Sequence, residues 1–442
     1  MSGLRRGACP GVTDPMSTGD GLLTRLVPTE PIAIDRWIAL CAASARCGNG
    51  VMEVTQRGNL QVRGLSPASA SAFAQAVTDL GIATHTRPVI LTSPLLGLSA
   101  EEHVDLRGFV ATLRSEFGVH DIVRSLSPKV SVLIEGRAAL HLDDVAADVR
   151  VQVGDDAHLH LALGADAGSS IGLGWVEPRR AIEAVMGILT GIADLGPTAR
   201  GRDLARDVAL TSLRRSLAGL LLPGPAPMPR PPADPVGTHE LKDGRIARGI
   251  ALAFGYTHAV TLERLALTAA RYGATSFRPS PGRAVLAIGL PANAANRFAD
   301  AAAAEGFIVQ SDDVRRHVVA CAGMPACGSA TLDTRRLAPA IARAAGPYLD
   351  GSVTIHLSGC AKGCAHPNAA SLTLVGPDGI VVRGRAGDRP HGTISPANFI
   401  AGVPRLSSMS GAASARERSA DAIARIGAKA VVEAIGGEPA HD

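Results

Sequence analysis

Apolar residues recur every three to four positions through residues 32–48, with Ile34, Trp37, Ile38 and Cys41 on one face. This spacing predicts a helix that stops at Gly48. Strands are predicted at residues 51–56 and 60–65. A second helix opens at Ser66-Pro67, a cap followed by proline at the first helical position, and runs to about residue 80. The same order returns later: a helix over 257–272 ending at Gly273, strands at 275–278 and 284–290, and a helix over 291–305. GNGVMEVTQRGNLQVRGL (48–65) lies on GATSFRPSPGRAVLAIGL (273–290) without a gap at an offset of 225, with few identities but one element order. RPVILT (87–92) stands against RHVVAC (316–321), and helices at about 101–117 and 333–349 follow. VSVLIEG (130–136) and ADVRV (147–151) then match VTIHLSG (353–359) and ASLTL (370–374) at an offset of 223. The chain reads as α+β and internally duplicated, and the cleft between duplicated halves is a natural ligand site.

Between the repeats, residues 221–237 (LLPGPAPMPRPPADPVG) carry seven prolines in 17 positions. Proline fixes φ and removes a donor, so this stretch is read as a linker. It separates a first half, residues 1–220, from a second, residues 238–400. Residues 401–442 form a C-terminal loop with an Ala-rich helix over about 415–435.

Composition narrows the class. With 46% apolar residues and a net charge of +4, the chain is globular rather than disordered, and its charge is too weak and dispersed for nucleic acid. No apolar run approaches the roughly 18 residues of a membrane span. Arg5 and Arg6 are followed by no apolar segment of the signal-peptide kind, so the expected compartment is the cytoplasm.

The seven cysteines are unevenly placed. Cys9, Cys41 and Cys47 lie early, and Cys321, Cys327, Cys360 and Cys364 fall within 44 residues. Four thiolates suit tetrahedral zinc or a four-iron cluster. Spacings of five (CAGMPAC) and three (GCAKGC) are wrong for a zinc knuckle, whereas a 4Fe–4S cubane spreads its ligands more widely. Cys41-x5-Cys47 imitates the first pair but has no second, and Cys41 falls on an apolar helical face, so that pair is read as structural. No Walker loop occurs, nor any GxGxxG after a strand, so no nicotinamide or flavin is expected within the chain.

The paired C-x5-C and C-x3-C resembles the sirohaem-containing nitrite and sulfite reductases. The finer sequences SGCAKGCAHP, RGACPGVTDPMSTGDGLLTRL (6–26) and QRGNLQVRG (56–64) resemble one branch of that superfamily, the precorrin-3B synthases. The resemblance runs from Arg6 to about Ala386. It implies a nitrite/sulfite reductase-like architecture of two pseudo-symmetric halves, with ferredoxin-like and mixed-sheet α/β modules. It also implies a monooxygenase converting precorrin-3A to precorrin-3B with O2, by hydroxylation at C20 and lactone formation. Its cofactors would be a 4Fe–4S cluster and a mononuclear non-haem iron, with NADH-derived electrons from a partner reductase or ferredoxin. The alternatives are a sirohaem-dependent nitrite or sulfite reductase, in which Cys364 would bridge cluster and sirohaem, and an iron–sulfur carrier or redox sensor.

A tetrapyrrole of this kind carries up to eight carboxylates, and arginine meets carboxylates bidentately. If Thr55, Arg57, Asn59 and Gln61 alternate as strand residues they share one face, although Gly58 marks a turn that can break the run. By the resemblance Arg57 binds tetrapyrrole carboxylates, Arg87 sits where the family has another arginine, and Lys129 matches a lysine before a strand. The family's second lysine is Ser131 here. Arg25 is a further clamp candidate. Arg278 and Arg283, which flank Ser280-Pro281-Gly282, are further substrate-binding candidates, as are Asn59 and Gln61, although precorrin-3B synthases tend to have an aromatic where this chain has Gly282. His366, close behind the last cysteine, is a candidate iron ligand or proton donor. His356 precedes the pair, and His85 and His103 have no context.

Overall fold

The computed structural model describes residues 10–85, 87–409 and 417–440. Among the described residues four sheets account for the strands. The first antiparallel sheet runs in the spatial order Met16–Thr18, Gly21–Leu26, Leu60–Leu65, Val51–Val54, Tyr256–His258. The second runs Gly237–Glu240, Ile246–Ala251, Ala284–Leu290, Ser276–Ser280, Ile32–Ala33. Each sheet therefore takes its last strand from the other half of the chain. The first mixed sheet has Val89–Thr92, Ser131–Glu135 and Val149–Val153 in parallel, then Leu159–Leu163 and Ile171–Val176 antiparallel. The second repeats the scheme with Val318–Ala320, Ile355–Ser358 and Ala370–Val375 parallel, followed by Gly379–Gly384 antiparallel.

Local chemistry explains the main elements. Helix Ile34–Cys47 buries Ile34, Trp37, Leu40, Cys41 and Ser44, one stripe at helical spacing. Helix Pro67–Asp79 opens with a capping box in which Ser66 and Ser69 satisfy each other's backbone N–H. Both helices pack with Ala259–Arg271 and Ala292–Ala304 into one core that draws on both antiparallel sheets. Trp37 stacks on Phe277 across that core with ring centroids 5.2 Å apart. Because the sheets exchange strands and share this core, the antiparallel layers of the two halves form one body.

The register confirms the duplication. Met52 pairs with Val62 and Phe277 with Ala287, both at an offset of 225. The exchanged strands obey the same offset, Ile32 with Phe277 and Met52 with Thr257. Val132 pairs with Val149 and Ile355 with Leu372, an offset of 223. One block shifts: Ile90, rather than Val89, occupies the place of Val318, because Ile90 pairs with Val132 as Val318 pairs with Ile355. Some predicted bounds also move. The first strand of the hairpin stops at Val54, and the helix expected over 101–117 is Arg107–Val119. The one expected over 333–349 is Thr334–Ala345, closed by a tight turn at Gly346–Tyr348.

The Pro-rich stretch carries no helix and is held at intervals. Leu222 bridges Trp175, and Arg230 forms a bidentate pair with buried Asp143 at 2.9 and 3.1 Å. Near the C-terminus, helices Ser419–Ile426 and Ala428–Ala434 bury Ile423, Val431 and Val432 in the core of the second mixed sheet. Among the described residues no helix is long and apolar enough to cross a membrane.

Candidate iron–sulfur and tetrapyrrole site

The cysteines sit on two loops released at the C-terminal ends of adjacent parallel strands, Val318–Ala320 and Ile355–Ser358. Parallel neighbours deliver their ends to the same edge, which is how thiols 39 residues apart, Cys321 and Cys360, come together. The loops are tied to each other. Thr331 N donates to Gly359 O at 2.8 Å, and Lys362 Nζ to Ser329 Oγ at 3.0 Å. Gly359 N donates to Cys321 Sγ at 3.2 Å. A Cβ on Gly359 would stand 2.5 Å from Ala330 Cβ, so the approach needs glycine. Burial first, and then Cys360, Cys321 and Cys327, push the Cys364 thiol above its ordinary range. Four thiols on two loops that bond to each other fit a group that supplies several positive charges. A 4Fe–4S cluster does so, and the Gly359 N–H points at the Cys321 sulfur in the way that a cluster-bound thiolate requires. Cys41 is buried in the shared helical core and Cys47 is half-buried beside it, while Cys9 lies outside the described residues. Among the described residues no three His, Cys, Asp or Glu side chains close on one point as they would for a single ion.

The first half presses on these loops directly. Gly19 N donates to Ala326 O at 3.2 Å, and a Cβ there would lie 2.6 Å from Gly328 N and 2.7 Å from Pro325 O. Arg63, only 4% exposed, gives the same Ala326 carbonyl a 2.6 Å hydrogen bond and forks onto Asp20 with two bonds of 3.0 Å. Burial works to raise the Asp20 pKa, but the bonds from Arg63 and Thr18 outweigh it and hold the carboxyl below its usual range. Glu53 joins Arg63 at 3.6 Å and also pairs with Arg335. Sequence reasoning missed Asp20 and Arg63, the latter inside strand Leu60–Leu65, because no local pattern shows their docking on the loop that carries Cys327.

The predicted cations divide into groups. The alternation expected over Thr55–Gln61 does not run through. Thr55 N donates to Asn59 O, Asn59 N to Thr55 Oγ1, and Gly58 at φ 73° turns the chain. Arg57 is exposed on this turn and bridges Pro281 of the second half. Its neighbour Gln56 accepts from Arg283 Nη1 at 2.7 Å, and Arg283 Nη2 donates to Ala365 O at 3.0 Å, next to Cys364. Gln61 is buried instead, 7% exposed, its oxygen accepting from Arg25 at 2.8 and 3.0 Å and its nitrogen donating to Glu53 at 2.6 Å. Arg87 and Lys129 are exposed and precede adjacent parallel strands, where Val89 pairs with Ser131. Ser131 turns its N–H and hydroxyl onto Asp148, at 2.9 and 3.3 Å. Arg278 is 7% exposed on the second antiparallel sheet, its Nη2 3.5 Å from Thr92 Oγ1.

His366 Nε2 lies 3.3 Å from Ala369 O, and its ring meets His356 edge-on at 5.6 Å. His356 is fully buried and neither ring nitrogen has a hydrogen-bond partner. Burial, then His366 and Arg283, pull its pKa down to about 4.

The duplication also explains why one half alone has the thiols. At the offset of 223, Cys360 falls on Arg137 and Cys364 on His141. That first-half loop is closed around fully buried Glu135, which accepts from Ala138 N and Leu142 N, and around the Asp143–Arg230 pair.

No protein-family model matches the chain. A precorrin-3B synthase from a Sinorhizobium species is 38% identical over 398 residues, covering 88% of this chain and 85% of the relative. A sulfite reductase (ferredoxin) of Mycolicibacterium paratuberculosis is 26% identical, covering 73% of this chain and 64% of the relative. Among solved structures, the Mycobacterium tuberculosis NirA protein superposes with a TM-score of 0.74 at 19% identity, over 91% of this chain and 83% of that one, a likeness of fold. The converging cysteines, the duplicated sheets and the near full-length identity to the Sinorhizobium enzyme agree, and the chain belongs to the precorrin-3B synthase family within the nitrite/sulfite reductase superfamily.

Proposed function

We propose that the chain is a precorrin-3B synthase, an oxidoreductase that uses O2 to hydroxylate precorrin-3A at C20 and to close a lactone from the ring A acetate in aerobic cobalamin synthesis. The observation that carries the reading is the tie between the Arg57 turn and the cysteine loop, made by Arg283 to Gln56 on one side and to Ala365 on the other. A macrocycle held at Arg57 lies against the loop that bears Cys364. A 4Fe–4S cluster on Cys321, Cys327, Cys360 and Cys364 supplies one-electron transfers there when bound. Arg57, Arg87 and Lys129 bind ring carboxylates, with Asn59 shaping the turn. Gln61 and Arg25, bonded to each other, brace the strand pair behind them. Arg283 is a positioning residue. The reading includes an electron-donating reductase or ferredoxin fed by NADH; for a mononuclear non-haem iron the described residues offer no three side chains that close on one ion.

Ser131 argues against a sirohaem reductase. Where that branch has its second lysine, this chain has a hydroxyl committed to Asp148, which removes a cation from the anion pocket. The test is direct. Anaerobically purified protein, given reductant and precorrin-3A, is expected to take up O2 and transfer an isotopically labelled oxygen atom to the product, with a cluster band and no sirohaem bands in the visible spectrum. Sirohaem bands with sulfite or nitrite reduction, and no O2 uptake, would overturn the reading.

A further inference from the structure

Buried arginines in this protein are generally answered by carboxylates or carbonyls, as Arg63 is by Asp20 and Ala326. Arg278 departs from this. It is 7% exposed, and its guanidinium makes one marginal contact, Nη2 to Thr92 Oγ1 at 3.5 Å. The duplication provides an internal comparison. At the offset of 225 set by the Met52–Val62 and Phe277–Ala287 pairs, Arg278 takes the place of Glu53. Glu53 is met by opposite charge, from Arg63 at 3.6 Å and from Arg335. Arg278 has no such ion pair: it feels the acid Glu30 and, after it, the basic Arg114. Arg114, on helix Arg107–Val119, has its Nε buried without a partner. Burial, then Arg114 and Arg278, pull the His85 pKa down to about 3. Glu30 is the acid that Arg278 feels, and it forms no ion pair with it.

A buried guanidinium beside a second one is costly, because desolvation and like-charge repulsion act together. Arginine is rarely buried this far unless paired. An anion between the two guanidinium groups removes both penalties. The donors on offer are two guanidinium forks, the ring N–H of a neutral imidazole and a threonine hydroxyl, a set that suits a carboxylate held by charge-assisted, bidentate bonds. The setting indicates the source. Strand Ser276–Ser280 runs straight into Pro281, the partner of Arg57, and His85 stands two residues before Arg87.

We propose that Arg278, Arg114, His85 and Thr92 form a carboxylate subsite, filled by a ring acetate or propionate of the tetrapyrrole; the identity of that ligand rests on the function proposed above. The test titrates uroporphyrin III, an octacarboxylate tetrapyrrole, into wild type, Arg278→Gln, Arg114→Gln and Arg57→Gln, with acetate and phosphate as small-anion probes in parallel thermal melts. Arg278→Gln and Arg114→Gln are each expected to weaken uroporphyrin binding roughly tenfold or more. Ligand-free Arg278→Gln is expected to melt no lower than wild type, since it loses a buried charge that no ion pair answers. Wild-type affinity in both variants, with binding lost in Arg57→Gln, would overturn the subsite and leave the tetrapyrrole reading standing. No uroporphyrin binding to wild type would overturn the tetrapyrrole reading itself. Stabilisation by acetate or phosphate that disappears in Arg278→Gln, with uroporphyrin affinity unchanged, would overturn the tetrapyrrole as the source of the carboxylate. A lower melting point for ligand-free Arg278→Gln, with unchanged binding in Arg114→Gln, would make Arg278 a structural residue and sink the proposal.

Discussion

Arg63→Met separates a structural clamp from a substrate contact at the most buried cation near the cysteines. The side chain is 4% exposed and serves three groups: Asp20 by two 3.0 Å bonds, Glu53 at 3.6 Å and the Ala326 carbonyl at 2.6 Å. Removing it leaves Asp20, 13% exposed, without its counter-charge. Breaking one partner of a buried ion pair costs about 3–5 kcal/mol, and the orphaned carbonyl costs ~1–3 kcal/mol more if water does not reach it. For a folding unit of 150–250 residues each kcal/mol moves Tm by about 2–4 °C, so a fall of roughly 6–20 °C is expected from the broken ion pair alone. The damage is directed, because Ala326 is the residue before Cys327. Iron and acid-labile sulfide per chain should fall along with Tm. Arg63→Lys should rescue only in part, since an ammonium cannot fork onto Asp20 and reach Ala326 as well. The double variant Arg63→Met/Asp20→Asn should lose less than the two single changes together, because it removes both charges. Unchanged iron content and Tm in Arg63→Met, or strict additivity in the cycle, would refute the clamp.

Four further outcomes are expected. Each of Cys321→Ser, Cys327→Ser, Cys360→Ser and Cys364→Ser should lose iron and sulfide, since a hydroxyl is a poor substitute for thiolate, whereas Cys41→Ser and Cys47→Ser should keep both; full clusters in any two of the first four would refute the ligand set. Gly19→Ala should lower cluster occupancy, because the added Cβ meets Gly328 N at 2.6 Å and Pro325 O at 2.7 Å, both backbone atoms of the cluster loop; iron analysis decides. Arg57→Lys should weaken tetrapyrrole binding about ten- to a hundredfold with the cluster intact, and equal affinities by titration would reduce Arg57 to a surface charge. In Asp143, burial raises the pKa but the bonds from His141 and Arg230 outweigh it and hold it below the carboxylate range. A depressed folded pKa gives a stability contribution that is full above about pH 4 and lost as pH falls below it, so Asp143→Asn should flatten the acid limb of the stability curve, and denaturant melts from pH 7 to 3 would expose a failure.

Arg57 and Gln61 mark the line between what the sequence could say and what it could not. Periodicity alone located the helix that buries Trp37, the capped helix at Ser66-Pro67 and the parallel strands before the cysteines, because apolar spacing of 3.6 or 2 is a local property. The offsets of 225 and 223, read from letters, returned as hydrogen-bond registers, because a duplicated chain conserves pairing even when identity has drifted. The cysteine spacing raised the expectation of a four-iron cluster, and the structure adds that both cysteine loops leave the same edge of one sheet. The sequence could not say which arginines were free to meet a ligand. Arg57, Gln61 and Arg63 lie within seven residues, yet one stands exposed on a turn, one is a buried rung and one clamps a loop 263 residues away. Gly58 decided the first, cross-strand partners the second, and a backbone carbonyl from the other half the third. The contact of Arg278 with Thr92, 186 residues earlier, was likewise beyond any local pattern. Charge balance in a buried site is a sum over neighbours, and the neighbours are set only when the two halves close on each other.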